Sequence, residues 1–164
     1  MSSSTREELT AAVLTVSDSS FRGDRSDASG PAVSELLQNN KFAVTATKIV
    51  PDEQSEIQKA IVELSAKARL ITTTGGSGIA PRDVTQEATR AVCERLVDGI
   101  PERMRAEGVK KTPRAVLSRG VCGIRGRTLV LNLPGSPKGA VESLSAVMDL
   151  LPHMLDLIAG KTQH

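Results

Sequence analysis

The 164-residue sequence has no tryptophan or tyrosine, and its phenylalanines are Phe21 and Phe42 alone. Without rings to stack on bases, it lacks the platform that single-strand nucleic-acid binders use. Charge of one sign is equally scarce. The 21 Lys and Arg face 19 Asp and Glu, for a formal net charge of +2, and the block from Arg103 to Lys111 is broken by its own acids. No clustered basic face for a nucleic-acid backbone is therefore expected. The only cysteines are Cys93 and Cys122, with no CxxC spacing. That excludes a disulfide framework and a zinc set, and it predicts two buried reduced thiols rather than one bridge. With two histidines, His153 beside Pro152 in an apolar helix and His164 at the end, a histidine-based hydrolase is not expected. No serine stands in a GxSxG elbow. No window approaches eighteen uninterrupted apolar residues, and MSSSTREELT has no apolar h-region. The sequence thus predicts neither a membrane span nor a signal peptide, and hence a cytoplasmic protein with no membrane partner.

What is present alternates. Short β-branched runs at Ala11 to Val16, Phe42 to Val50 and Arg69 to Thr73 read as strands. Between them, Val33, Leu36 and Leu37 behind Pro31, and then Ile57, Ile61 and Leu64, recur at helical spacing. A helix is predicted from Thr85 to Leu96 with Thr85 as N-cap, another from near Pro101 to Gly108, and a short one from Pro113 to Ser118. Val121 to Ile124 and Thr128 to Leu133 form a predicted hairpin about Arg125-Gly126-Arg127. A helix then runs to Leu150, Pro152 interrupts it, and a last helix ends at Gly160. Strands alternating with helices predict one α/β domain over residues 1–164, a three-layer α/β/α arrangement on a largely parallel sheet. Residues 1–9 read as a flexible start. Leu151, Met154, Leu155 and Ile158 fit either the core or a subunit interface.

In such sheets ligands bind past the carboxyl ends of the strands, and the chain leaves its strands with unusual chemistry: SDSSFRGD, PDE, TTGGSG and LPGSP. In the third exit, Gly75, Gly76 and Gly78 permit positive φ and close approach of a ligand, and Thr74 and Ser77 add hydroxyls. Arg82 can fork onto a phosphate, and Asp83 suits a magnesium ion shared with phosphates. A plain glycine turn with Asp83 as helix cap is the alternative. Asp52 reads either as a complement to the next helix's dipole or as a second acid beside the metal. Pro134, Gly135, Ser136 and Lys138 open a helix and can bind an anion, or they form an ordinary turn before Pro137. Ser17 and Asp18 at the first exit join the candidate substrate-binding set, against a solvated loop. Neither a Walker A nor a GxGxxG spacing is present.

These residues, taken in order, resemble a known family. TTGGSGIAPRDVTQEAT, preceded by IVPDE and followed by LSRGVCGIRGRTLVLNLPGSPKGAVESL, is similar to the molybdopterin adenylyltransferases of the Mog type and to gephyrin's G domain. VLTVSDSSFRGDRSDASGP resembles the family's opening, so the likeness runs from about Ala11 to Gly160. It implies a homotrimer that binds molybdopterin and Mg-ATP. It also implies transfer of AMP to the pterin's terminal phosphate and delivery of the product to a molybdenum-inserting enzyme. Carried over by position, it assigns the essential acids to Asp52 and Asp83, which would hold Mg²⁺. The glycine loop falls on Gly75 to Gly78, and the Pro-Gly loop on Pro134 to Pro137. The family's usual TTGGTG becomes TTGGSG here, and Ser77 keeps the hydroxyl. MoaB-type relatives share the fold and commonly lack the Arg-Asp-Val-Thr wording present at Arg82 to Thr85, which favours the active class. The competing expectations are a non-catalytic pterin-binding scaffold and a competence-damage-type phosphate enzyme on the same fold.

Overall fold

Strand β1 (Thr10–Val16) is buried on both faces, and its side chains alternate between two apolar clusters. Ala11 and Val13 enter one; Ala12, Leu14 and Val16 enter the other. A strand with no wet face belongs inside a sheet covered on both sides. The computed structural model, which describes residues 7–161, shows that arrangement. The first cluster lies under helices α2 (Ser29–Asn39), α5 (Gly99–Val109), α6 (Pro137–Val147) and α7 (Leu151–Ile158). The second lies under α3 (Gln54–Ser65) and α4 (Thr85–Val92). The expected three layers are thus present, and Leu151 and Leu155 belong to the core, with Met154 and Ile158 packed against it.

The sheet has six strands in the order β2-β1-β3-β6-β5-β4. β2 (Ala43–Val50), β1, β3 (Leu70–Thr74) and β6 (Thr128–Leu133) run parallel. β5 (Cys122–Arg125) is antiparallel to β6, and β4 (Arg95–Leu96) to β5. The hairpin is as predicted, with Arg125 opposite Thr128 and Gly126 at φ +57° in the turn. Because β1 connects to β2 on one side while β3 pairs on the other, the sheet changes direction between β1 and β3. That is where α/β sheets place ligands.

Some expectations need correction. The helix from Thr85 stops at Val92, not Leu96: Cys93 is extended and Arg95–Leu96 pairs with β5. The edge of β5 offers carbonyls that Glu94 and Val97 N–H groups take at 2.9 and 2.8 Å, and this tertiary pairing overrides helical periodicity. Thr85 is not the N-cap; Val84 holds that position, and the Thr85 hydroxyl donates to the Gly75 carbonyl at 2.9 Å. The first polar exit is not wholly loop, since Asp18–Phe21 forms one helical turn, α1. Cys122 is buried and Cys93 half-buried; both are free thiols, pushed by burial up to about 12 and about 11. His153 is exposed on α7. His164 and residues 1–6 of the expected flexible start lie outside the described residues. At the near end, Arg69 donates to the Glu7 and Glu8 carbonyls, and Ala43 N–H donates to Leu9 O at 2.8 Å. Among the described residues no helix is long and apolar enough to cross a membrane.

Candidate active site

Parallel β2, β1, β3 and β6 are neighbours in that order, so their carboxyl ends share one rim. Each delivers one of the unusual segments there: Asp52 from β2, Ser17 and Asp18 from β1, the glycines from β3, and Pro134 to Ser136 from β6. Gly75 and Gly76 both have positive φ, +95° and +67°. A Cβ on Gly75 would run into the Val16 carbonyl, and one on Gly76 into the Thr85 hydroxyl, with Asp52 Oδ1 3.3 Å away. One on Gly78 would stand 2.8 Å from Asp83 Oδ2. Gly75 and Gly76 are therefore required by close approach as well as by φ. Gly78, against expectation, has no positive φ and is held to glycine by the Asp83 carboxylate alone, and the loop sits between the two candidate acids.

Asp52 and Asp18 are joined reciprocally. Asp18 N–H donates to Asp52 Oδ2 at 2.8 Å, and Asp52 N–H donates to Asp18 Oδ1 at 2.9 Å. Arg82 forks onto Asp18, with Nε to Oδ2 at 2.6 Å and Nη2 to Oδ1 at 3.0 Å. The Arg82 hydrogen bond holds the Asp18 carboxyl below its ordinary range, and Asp18 raises Arg82 in turn. Burial pushes Asp52 the other way, upward, and the nearby Asp18 and Asp83 charges add to the rise. Two acids in one corner thus differ in proton affinity because one is desolvated and the other owns a guanidinium. Asp83 accepts the Ala80 N–H at 2.9 Å. Among the described residues there is no cluster of three or more acidic, His or Cys ligands for a metal. A magnesium ion needs none, since it is held by one or two carboxylates together with substrate phosphates and water. The Asp52 and Asp83 donor set fits that chemistry.

Two hollows open on the rim. The larger, about 440 Å³, is lined by Gly76, Ser77, Gly78 and Asp83 on one side and by Pro134, Gly135 and Ser136 on the other. Lys111, Arg114, Met104 and Leu117 extend its wall. The smaller, about 350 Å³, is lined by Ser17, Thr74 and Gly75 with Gly135 and Ser136 again. The divide is thin: a Cβ on Gly135 would lie 3.3 Å from the Gly75 Cα. Ser136 caps α6, accepting Gly139 N–H at 3.0 Å, and buried Thr74 shares a hydrogen bond with Ser29 at 2.9 Å. Asp18, Asp52, Arg82 and Lys138 line neither hollow. Lys138 is 88% exposed, Arg82 is engaged by Asp18, and Asp52 stands behind the glycine loop, 3.3 Å from where a Cβ on Gly76 would lie.

Sequence reasoning missed Thr85 as a fastener of the glycine turn, although its Oγ1 and N–H hold Gly75 O and Gly76 O. It also missed Arg119, whose N–H donates to Ser77 O at 2.7 Å and whose guanidinium reaches Gly78, Asp83 and Glu87. Thr85 carried a signal in being a hydroxyl residue directly after the Asp83-Val84 pair. Arg119 carried none, since its partners are all more than 30 residues away in sequence.

The family model described as "Probable molybdopterin binding domain" matches residues 12–153. The chain belongs to this family. Among its relatives, the molybdopterin adenylyltransferase of Helicobacter pylori strain J99 is 40% identical over 154 residues, covering 90% of this chain and 86% of that protein. The molybdenum cofactor synthesis protein cinnamon of Drosophila melanogaster is 44% identical over 156 residues, 93% of this chain but 26% of that longer protein. Of solved structures, the molybdopterin biosynthesis enzyme MoaB of Thermus thermophilus superposes with TM-score 0.88 at 52% identity, covering 93% of this chain and 98% of that one. The resemblance read from the motifs is therefore borne out at the level of family and fold.

Proposed function

We propose that this chain works in molybdenum cofactor synthesis as a molybdopterin adenylyltransferase, transferring AMP from ATP to the terminal phosphate of molybdopterin with release of pyrophosphate. The observation that carries the reading is the convergence of all four strand exits on one rim, with paired acids beside a glycine loop. Support also comes from relatives of that name at about 40% identity over most of the chain.

In the proposed reaction a pterin phosphate oxygen attacks the α-phosphorus of ATP. A new P–O bond forms, the bond from the α-phosphorus to the oxygen bridging to the β-phosphate breaks, and the electron pair leaves with pyrophosphate. The nucleophile is already anionic, so no general base is required. Such transfers depend on positioning and charge neutralisation more than on covalent help. Mg²⁺ held by Asp52 and Asp83 would neutralise charge on the phosphate oxygens. The chain's own part is the bare backbone at Gly76 and Gly78, which lets phosphates approach N–H groups closely, and the Ser136-capped start of α6 across the hollow. The same reading includes a homotrimer, and a molybdenum-inserting enzyme as the product's recipient.

The test is pyrophosphate release with Mg-ATP, with and without molybdopterin. Release is expected only when the pterin is present. Asp83→Asn keeps an oxygen for Ala80 N–H, so the fold survives, while turnover falls by at least about 100-fold because a charged ligand is lost. Parent-level turnover by this variant would remove Asp83 from the mechanism. Molybdopterin retained without pyrophosphate would make the protein a non-catalytic binder.

A further inference from the structure

The Asp83 carboxylate stands on an excursion from Ile79 to Arg82 whose Ile79, Ala80, Pro81 and Arg82 are all exposed. Within it the Asp83 N–H donates to Ala80 O at 2.9 Å, and Ala80 N–H returns to Asp83 Oδ2 at 2.9 Å. Those bonds close the turn on itself. They do not fix the turn against the glycine loop. Thr85 ties the chain after Asp83 to Gly75 O and Gly76 O. A second connection, the one that reaches Ser77, Gly78 and Asp83 itself, comes from Arg119, just before β5. Its N–H donates to Ser77 O at 2.7 Å, and Nη1 reaches Gly78 O at 3.3 Å and Asp83 O at 3.4 Å. Both feet of the excursion are therefore tied to one guanidinium. Nη2 pairs with Glu87 Oε1 on α4, which keeps the guanidinium plane from turning away. Gln86, 2% exposed, donates Nε2 to the same Asp83 carbonyl at 3.0 Å.

We propose that Arg119 and Glu87 form a clamp that fixes the Asp83 carboxylate relative to the glycine loop, making them positioning residues for the reaction. This rests on the proposed adenylyl transfer. Neither residue lines the hollow, so neither acts on what binds there directly. A planar fork can hold two carbonyls and a carboxylate at fixed angles, whereas a lysine ammonium cannot. Burial pushes the Glu87 carboxyl up, but the Arg119 hydrogen bond and charge outweigh it and hold the group charged at neutral pH. The pair is about 40% exposed on each side, and such pairs contribute little to global stability. Outer support of this kind instead governs the affinity and orientation of the group it holds.

Arg119→Ala, Arg119→Lys, Glu87→Gln and the Arg119→Ala/Glu87→Ala double variant of the full chain provide the test. Three readouts are taken: pyrophosphate release across a Mg²⁺ titration, Mn²⁺ binding in the presence of ATP by electron paramagnetic resonance, and amide exchange from Gly78 to Asp83. For Arg119→Ala, kcat is expected to fall by about 10- to 100-fold and the half-saturating metal to rise at least about tenfold. The molybdopterin KM stays within about twofold, and the melting temperature moves by no more than about 4 °C. Arg119→Lys recovers part of the loss, and the double variant is no worse than Arg119→Ala alone. Parent-like Mn²⁺ binding and amide exchange in Arg119→Ala overturn the clamp even if turnover is lost. Should Arg119→Ala fail to fold, Arg119→Lys and Glu87→Gln are judged by the same criteria. If the parent protein releases no pyrophosphate, the adenylyl-transfer reading fails, while the binding and exchange arms still decide the clamp.

Discussion

At the scale of single residues, the glycines separate two costs that are usually confounded. Gly126 and Gly76 both have left-handed φ, +57° and +67°. A Cβ at Gly126 meets nothing within 4 Å, whereas one at Gly76 meets the Thr85 hydroxyl. Gly126→Ala should therefore cost about 1–2 kcal/mol, the conformational penalty alone. Gly76→Ala should cost more, because the Thr85 fastening of the turn must also give way; urea unfolding of both measures the difference. The glycines and Asp52 could be picked out in the sequence because they follow a strand end closely, and Asp83 because it stands beside Arg82 shortly after the glycine run. Arg119 was not, because its role lies in which carbonyls it reaches, and that depends on β5 and α4 being folded. The reciprocal bonding of Asp18 with Asp52 was hidden for the same reason: the partners are 34 residues apart.

At the scale of elements, strands were easier to read than helix ends. β1, β3 and β6 are buried on both faces and carry apolar or β-branched runs, so they announce themselves. The helix from Thr85 was overrun by four residues because Cys93 to Leu96 continues an acceptable helical pattern. What ends it is the hairpin edge that it meets. Glu94 strengthens that meeting: its carboxylate accepts the Gly126 N–H at 2.9 Å, a bond that lowers its pKa below the ordinary glutamate value. A depressed folded pKa stabilises the hairpin turn above the unfolded value and stops doing so as pH falls through the folded one. Acidification below the usual carboxylate range should therefore speed Gly126 amide exchange after correction for intrinsic rates. Glu94→Gln should show no such pH step. Asn132 is a further stitch unreadable from its strand: its amide donates at 3.0 Å to both Thr73 and Thr89, and its oxygen accepts Val121 N–H at 3.1 Å.

At the scale of the whole molecule, the apolar clusters that hold the fold and the rim that carries the chemistry occupy different parts of the structure. Leu144 is fully buried in the cluster under α6, while Asp83 is only partly covered at the rim. Leu144→Ala should cost about 2–5 kcal/mol in unfolding free energy yet leave the turnover of the remaining folded protein within a few-fold of the parent. Asp83→Asn should do the reverse. Denaturant melts paired with specific activity per folded molecule check the exchange. The order β2-β1-β3-β6 brings the exits together, and the alternation of strands and helices was enough to expect a parallel sheet though not that order.

The crossing of Gly75 and Gly135 has one more consequence. Molecules lodged on its two flanks would be kept apart by bare main chain, and the Ser136 side chain that borders both is held in place by Gly139 N–H. Their spacing then cannot be adjusted by a change of rotamer; it is built into the register of β3 against β6, which pairs Thr74 with Leu133 just below. A one-methyl addition on that ridge would act as a shim, widening a gap that the sheet itself has gauged.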